Sequence, residues 1–99
     1  MADTLDDDAV AERLRGLPAW HRDGDAIRRR VRAPEFLTGI DIVADVARAA
    51  EDADHHPDID IRWRTLTFTL STHSAGGITG RDFALAAAID EIAARHGAE

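Results

Sequence analysis

Residues 51–82, EDADHHPDIDIRWRTLTFTLSTHSAGGITGRD, decide how this chain folds. Ile59, Ile61 and Trp63 alternate with Asp60 and Arg62, and Leu66, Phe68 and Leu70 alternate with Thr65, Thr67, Thr69 and Ser71. This is the period-two pattern of strands with one apolar face. About two residues separate the runs, which predicts a β-hairpin turning at Arg64 and Thr65, although neither residue supplies Asn-Gly chemistry. The triplet His55-His56-Pro57 ends whatever helix precedes it, because the residue before a proline is driven toward extended backbone. On the far side Gly76 and Gly77 release the chain into a loop. Thr79 then caps a final helix, with Asp82 three residues later as the reciprocal half of a capping box.

The flanks complete the pattern. Upstream, a helix is predicted from Pro34, in its first turn, to about Ala53. Phe36, Ile40, Val43, Ala44 and Ala47 form one apolar stripe on it, and Ile42, Val46 and Ala49 form a second. A helix apolar on two sides is either well buried or meets another subunit. Further back, 19–23 and 26–32 read as strands around the turn Asp23-Gly24-Asp25. Arg28, Arg30 and Arg32 share one face there, and Arg29 joins Ile27 and Val31 on the other. The arginine face reads as a solvated or interface-lining surface. A first helix, capped by Asp6 or Thr4 and carrying Val10, Leu14 and Leu17, ends at Gly16 and Pro18. Leu85, Ile89 and Ile92 give the last helix its core stripe, with Ala86, Ala87, Ala88 and Ala93 permitting close approach. The order α-ββ-α-ββ-α predicts an α+β fold, a four-stranded antiparallel sheet with three helices packed on one face. At 99 residues the chain has room for a single domain, 1–99, with one modest core.

Composition narrows the function classes. A net charge of -7 repels phosphate backbones, so nucleic acid is not an expected partner. No run approaches the roughly 18 apolar residues of a membrane span, and the N-terminus is acidic where a signal peptide would be basic, so a cytoplasmic location without membrane contact is expected. The absence of cysteine removes disulfides and thiolate chemistry. Proton transfer near neutral pH therefore falls to five histidines. His21 and His96 read as surface residues. His55, His56 and His73 lie in the organising stretch beside Glu51, Trp63 and Asp82.

Three readings compete for these histidines. Three imidazoles can hold zinc, but adjacent side chains diverge and no i, i+4 histidine pair is present, so no metal is expected. Capping or surface histidines are the bland alternative. The third reading is acid-base catalysis on a flat heterocycle, with Trp63 as an apolar wall and carboxylates orienting imidazoles. Glu51 precedes His55 by four residues, which puts the two on one face if the helix persists that far. The parity of His73 sets it on the face of Thr67, Thr69 and Ser71.

The spacing Glu51, three residues, His55-His56-Pro57, five residues, Trp63, nine residues, His73, eight residues, Asp82 resembles the signature of the pterin-4a-carbinolamine dehydratase family. DHHPDIDI, LSTH, GGITGRD, LPAW and the DGDAI turn are family-like as well. The resemblance implies dehydration of a 4a-hydroxytetrahydropterin to a quinonoid dihydropterin, the recycling step that follows an aromatic amino acid hydroxylase. It implies His55 and His73 as acid-base residues with Asp82 supporting them in the catalytic set, and His56, Glu51 and Trp63 on the substrate side. No cofactor is implied, since imidazoles with pKa near 6.5 serve as donor and acceptor without metal. The partners implied are the pterin substrate, a homodimer or homotetramer, and a functional link to a hydroxylase. Ile59, Arg64 and Ile78 depart from commoner family residues at positions that shape the mouth of the pocket. The alternative function is a non-catalytic pterin-binding or assembly and dimerisation protein tied to pterin or molybdopterin metabolism.

Overall fold

The computed structural model describes residues 3–99, so the first two residues of the expected 1–99 domain lie outside the described residues. The chain runs α1 (Asp7–Leu14), β1 (His21–Asp23), β2 (Ala26–Arg32), α2 (Phe36–Ala53), β3 (Asp58–Arg62), β4 (Thr65–Leu70), a 3₁₀ turn (His73–Ala75) and α3 (Gly80–Arg95). The four strands form one antiparallel sheet in the order β1-β2-β4-β3. This is the expected α-ββ-α-ββ-α fold. Asp6 rather than Thr4 caps α1, its carboxylate accepting from Ala9 N at 2.8 Å.

Alternation decides which face of the sheet the helices cover. Ile27 and Val31 of β2 and Leu66, Phe68 and Leu70 of β4 are fully buried. They meet Ile42 and Val46 of α2, Leu85 and Ile89 of α3, and Val10 of α1 in one cluster. Each such side chain contributes about 1.5–3 kcal/mol on leaving water. Arg29 points inward as its parity predicts and ion-pairs with Asp90 of α3, whose Oδ1 also accepts from Trp20 Nε1 at 2.7 Å. A charge facing the core is thereby matched rather than stranded. The opposite face carries Arg28, Arg30, Thr65, Thr67, Thr69, Asp58 and Asp60 and stays open as a broad polar groove of about 880 Å³.

Four local expectations shift. α2 begins at Phe36 with Glu35 as its cap, so Pro34 precedes the helix instead of occupying its first turn. The Ile42, Val46 stripe of α2 is buried and Val43 of the other stripe packs half-buried against the core, while Phe36, Leu37 and Ile40 remain exposed. β1 is shorter than expected, because Trp20 turns into the core ahead of it and Trp20 N is tied back to Leu17 O at 2.9 Å. The register Arg62↔Thr65 puts the hairpin turn at Trp63 and Arg64, one residue earlier than the alternation implied. Trp63 takes φ +53°, a left-handed conformation uncommon for a bulky residue. Arg64 fixes the turn from both sides: its guanidinium lies 4.7 Å from the Trp63 ring centroid, its O accepts from Ala33 N at 2.9 Å, and its Nη1 donates to Pro34 O at 2.9 Å.

Candidate active site

The end of α2 sets the geometry. Asp54 adopts the left-handed conformation at φ +49°, ψ +46°. His55 N donates to Ala50 O at 3.0 Å and Asp54 N to Glu51 O at 3.1 Å. These two bonds make a Schellman motif with aspartate where glycine is usual. The reversal ends helical periodicity before His55, so the i, i+4 geometry expected for Glu51 and His55 is not formed. His55 is turned into the protein and His56 outward. Arg81 of α3 holds the reversal in place, its Nη2 donating to Asp54 O at 2.6 Å and Ala53 O at 3.2 Å.

His55 is buried, and its Nε2 lies 2.6 Å from Oδ1 of Asp82, which is inaccessible to solvent. Asp82 owes its place to the start of α3: as the third helical residue it reaches back to accept from Thr79 N at 2.9 Å, completing the expected capping box. Its Oδ2 also accepts from Thr72 Oγ1 at 2.9 Å. Thr72 and Thr79 are buried, their hydroxyl oxygens 2.8 Å apart. Asp82 is thus both helix cap and partner of His55.

His56 pairs with Glu51 instead, Nε2 to Oε1 at 2.6 Å, on the surface. The carboxylate expected to orient His55 orients its neighbour. His73 opens the 3₁₀ turn and is exposed; β4 has already ended at Leu70, so strand parity does not govern it. The register Asp58↔Thr69 sets the entrance of β3 beside the exit of β4, and the segments bearing His55, His56 and His73 leave the sheet at the same end. Trp63 sits at the other end of β3, 69% exposed and, at about 3.3 Å per strand residue, on the order of 15 Å away.

A pocket of about 220 Å³ adjoins His55, walled by Ala49 and Ala53 of α2 and Ala84, Leu85 and Ala88 of α3, with Arg81 at its side. The apolar side chains beside His55 are these alanines and Leu85, and Trp63 is not among them. Among the described residues no three His, Cys, Asp or Glu side chains gather as metal ligands. Nor is any described helix long and apolar enough to cross a membrane. His21 is exposed as expected; His96 is half-buried, its Nε2 2.7 Å from Asp45 Oδ2. That hydrogen bond is the main reason the Asp45 carboxyl lies below its usual value, with burial opposing it and the charges of His96, Arg48 and Arg95 assisting. Sequence reasoning missed Thr72 and Arg81, because neither is distinguished by periodicity and each acts on a residue distant in sequence.

The family model described as pterin 4 alpha carbinolamine dehydratase matches residues 3–92. A candidate pterin-4-alpha-carbinolamine dehydratase of Nocardia farcinica is 62% identical over 90% of this chain and 94% of its own length. A second candidate, from Mycobacteroides abscessus, is 60% identical over 87% of this chain and 92% of its own length. Among solved structures, a transcriptional coactivator/pterin dehydratase from Brucella melitensis superposes with a TM-score of 0.89 at 32% identity, covering 92% of this chain and 99% of that one. A pterin dehydratase-like protein identified as a RuBisCO assembly factor of the alpha-carboxysome shares the fold, with a TM-score of 0.65 at 20% identity over 76% of this chain and 89% of that one.

Proposed function

This chain belongs to the pterin 4 alpha carbinolamine dehydratase family, and we propose that it removes water from a 4a-hydroxytetrahydropterin to give a quinonoid dihydropterin. In that reaction the C4a–O bond breaks, the departing hydroxyl takes a proton and leaves as water, and a ring nitrogen loses a proton. One proton donor and one acceptor suffice. His55 and His73 fill these roles, with Asp82 fixing the orientation of His55, while His56 and Glu51 hold the pterin at the rim. Trp63, at the far end of β3, stands outside this arrangement within one chain. The observation that carries the reading is the buried His55–Asp82 pair at 2.6 Å, set beside a pocket with apolar walls. A histidine serving only as surface decoration has no reason to engage the carboxylate of a buried capping box.

The test follows quinonoid dihydropterin formation by absorbance with and without the purified protein. Acceleration that is lost in His73→Ala supports the proposal; a rate equal to the uncatalysed one overturns it. A second reading has its own observation, the exposed Phe36, Leu37 and Ile40 on α2. An apolar surface of this kind suits association, in line with a homodimer or homotetramer or with an assembly role. Retained pterin binding with a flat rate would favour that alternative.

A further inference from the structure

The hydroxyl of Thr72 has no role in the chemistry set out so far, yet it is buried at the junction of both halves of the site. Its backbone closes the loop that presents His73. Thr72 N donates to Gly77 O at 2.9 Å, and Thr72 O accepts from Ala75 N and Gly76 N, each at 3.0 Å. Its side chain faces the other way, onto Asp82 and through it His55.

Counting hydrogens gives the network a direction. The single hydrogen of the Thr72 hydroxyl goes to Asp82 Oδ2, so the Thr79 hydroxyl must donate to Thr72 Oγ1. Thr79 Oγ1 in turn accepts from Arg81 N at 3.2 Å. Asp82 Oδ2 therefore receives two donors, Thr79 N–H and Thr72 O–H, the arrangement a carboxylate takes. A carboxylate only accepts, so the bond at Oδ1 needs a hydrogen on His55 Nε2. The other ring nitrogen, Nδ1, has no partner among the described residues. We propose that Thr72 is a positioning residue, whose hydroxyl holds Asp82 as the acceptor of His55 Nε2–H and so leaves His55 Nδ1 as the atom that exchanges a proton with substrate, while its backbone fixes the His73 loop. This rests on the dehydratase reading for its kinetic part alone.

The experiment has two arms. ¹⁵N NMR of the ring nitrogens of substrate-free wild-type protein reads the tautomer of His55, which is expected to carry its hydrogen on Nε2, with a Thr72 hydroxyl proton protected from exchange. A hydrogen on Nδ1 in neutral His55, or an unprotected Thr72 hydroxyl, overturns the assignment. Dehydration kinetics of Thr72→Val and Thr72→Ser form the second arm. Loss of the hydroxyl is expected to lower kcat about tenfold with KM changed less than about twofold, and serine to restore kcat to within about threefold. A Thr72→Val protein with wild-type kcat, or a serine variant as impaired as the valine one, overturns the role. Should wild type not accelerate dehydration, the proposed function fails, and the NMR arm still decides the network without substrate or variant.

Discussion

Two histidine-carboxylate contacts of equal length lie one residue apart in this chain. His55 and Asp82 meet at 2.6 Å with side chains 8% and 0% exposed; His56 and Glu51 meet at 2.6 Å with side chains 58% and 76% exposed. Distance alone would rank them equal, and environment separates them. Around Asp82 no water can replace a lost partner, and three donors converge on one carboxylate: His55 Nε2–H, Thr79 N–H and Thr72 O–H. Removing any member leaves the others buried and unsatisfied. At the surface, water competes for both partners and salt screens them, so the contact is worth at most about 1 kcal/mol.

The substitution that breaks this contrast most severely is Asp82→Ala, which strips a buried pair of its acceptor and α3 of half its capping box. It is expected to destabilise by about 3–5 kcal/mol, read from the urea midpoint at constant m-value. A loss below about 1 kcal/mol would mean that the two pairs are energetically alike after all. Next comes the separation of chemistry from stability. His73→Ala, at an exposed position, is expected to lower kcat by about 10²–10⁴-fold, the usual contribution of an acid-base group. Its stability should stay within about 0.5 kcal/mol of wild type. His55→Ala should lose both together, because that ring is also a buried donor. The surface pair is measured by a double-mutant cycle on Glu51 and His56, with an expected coupling of about 0.2–1 kcal/mol that shrinks with added salt. Salt-independent coupling above 2 kcal/mol would place that pair with the buried one.

A smaller effect sharpens the comparison at its origin, since Asp54 turns the two histidines to opposite sides. Asp54→Gly relieves the left-handed backbone while loosening the unfolded chain, and thermal unfolding should show a net change within about 1 kcal/mol with the pterin rate unaltered. The mildest prediction concerns a third pair, Asp45 with His96, intermediate in exposure. The Asp45 carboxyl is held below its usual value near 3.8. Its contribution is therefore complete above that value and is lost as pH falls through the lower folded-state one. The stability difference between wild type and Asp45→Asn should be steady from about pH 6 to 4 and decline below it. A difference that grows on acidification would reverse the sign assigned to the pair.

What was legible in the sequence was local. Alternation in β2 and β4 told which residues face the core, down to Arg29 sharing a face with Ile27 and Val31. The separation of Thr79 from Asp82 disclosed the capping box, and the histidine spacings carried the family resemblance. Periods and caps are properties of neighbouring residues, so a linear text records them. Partner choice among side chains was not recorded there. Glu51 is four residues from His55 and pairs with His56, because a single left-handed residue, Asp54, cancels the helical period the spacing assumed. Trp63 continues the alternation of β3 yet occupies the turn, because hairpin register is fixed by pairing with β4. Asp82 could be read as a cap, but its tie to His55, 27 residues away, required α2 and α3 to be packed together. The sequence by itself determined the elements, their order and the chemical types present; only the tertiary structure decided which histidine is buried against a carboxylate, because that depends on where two helix ends meet in space.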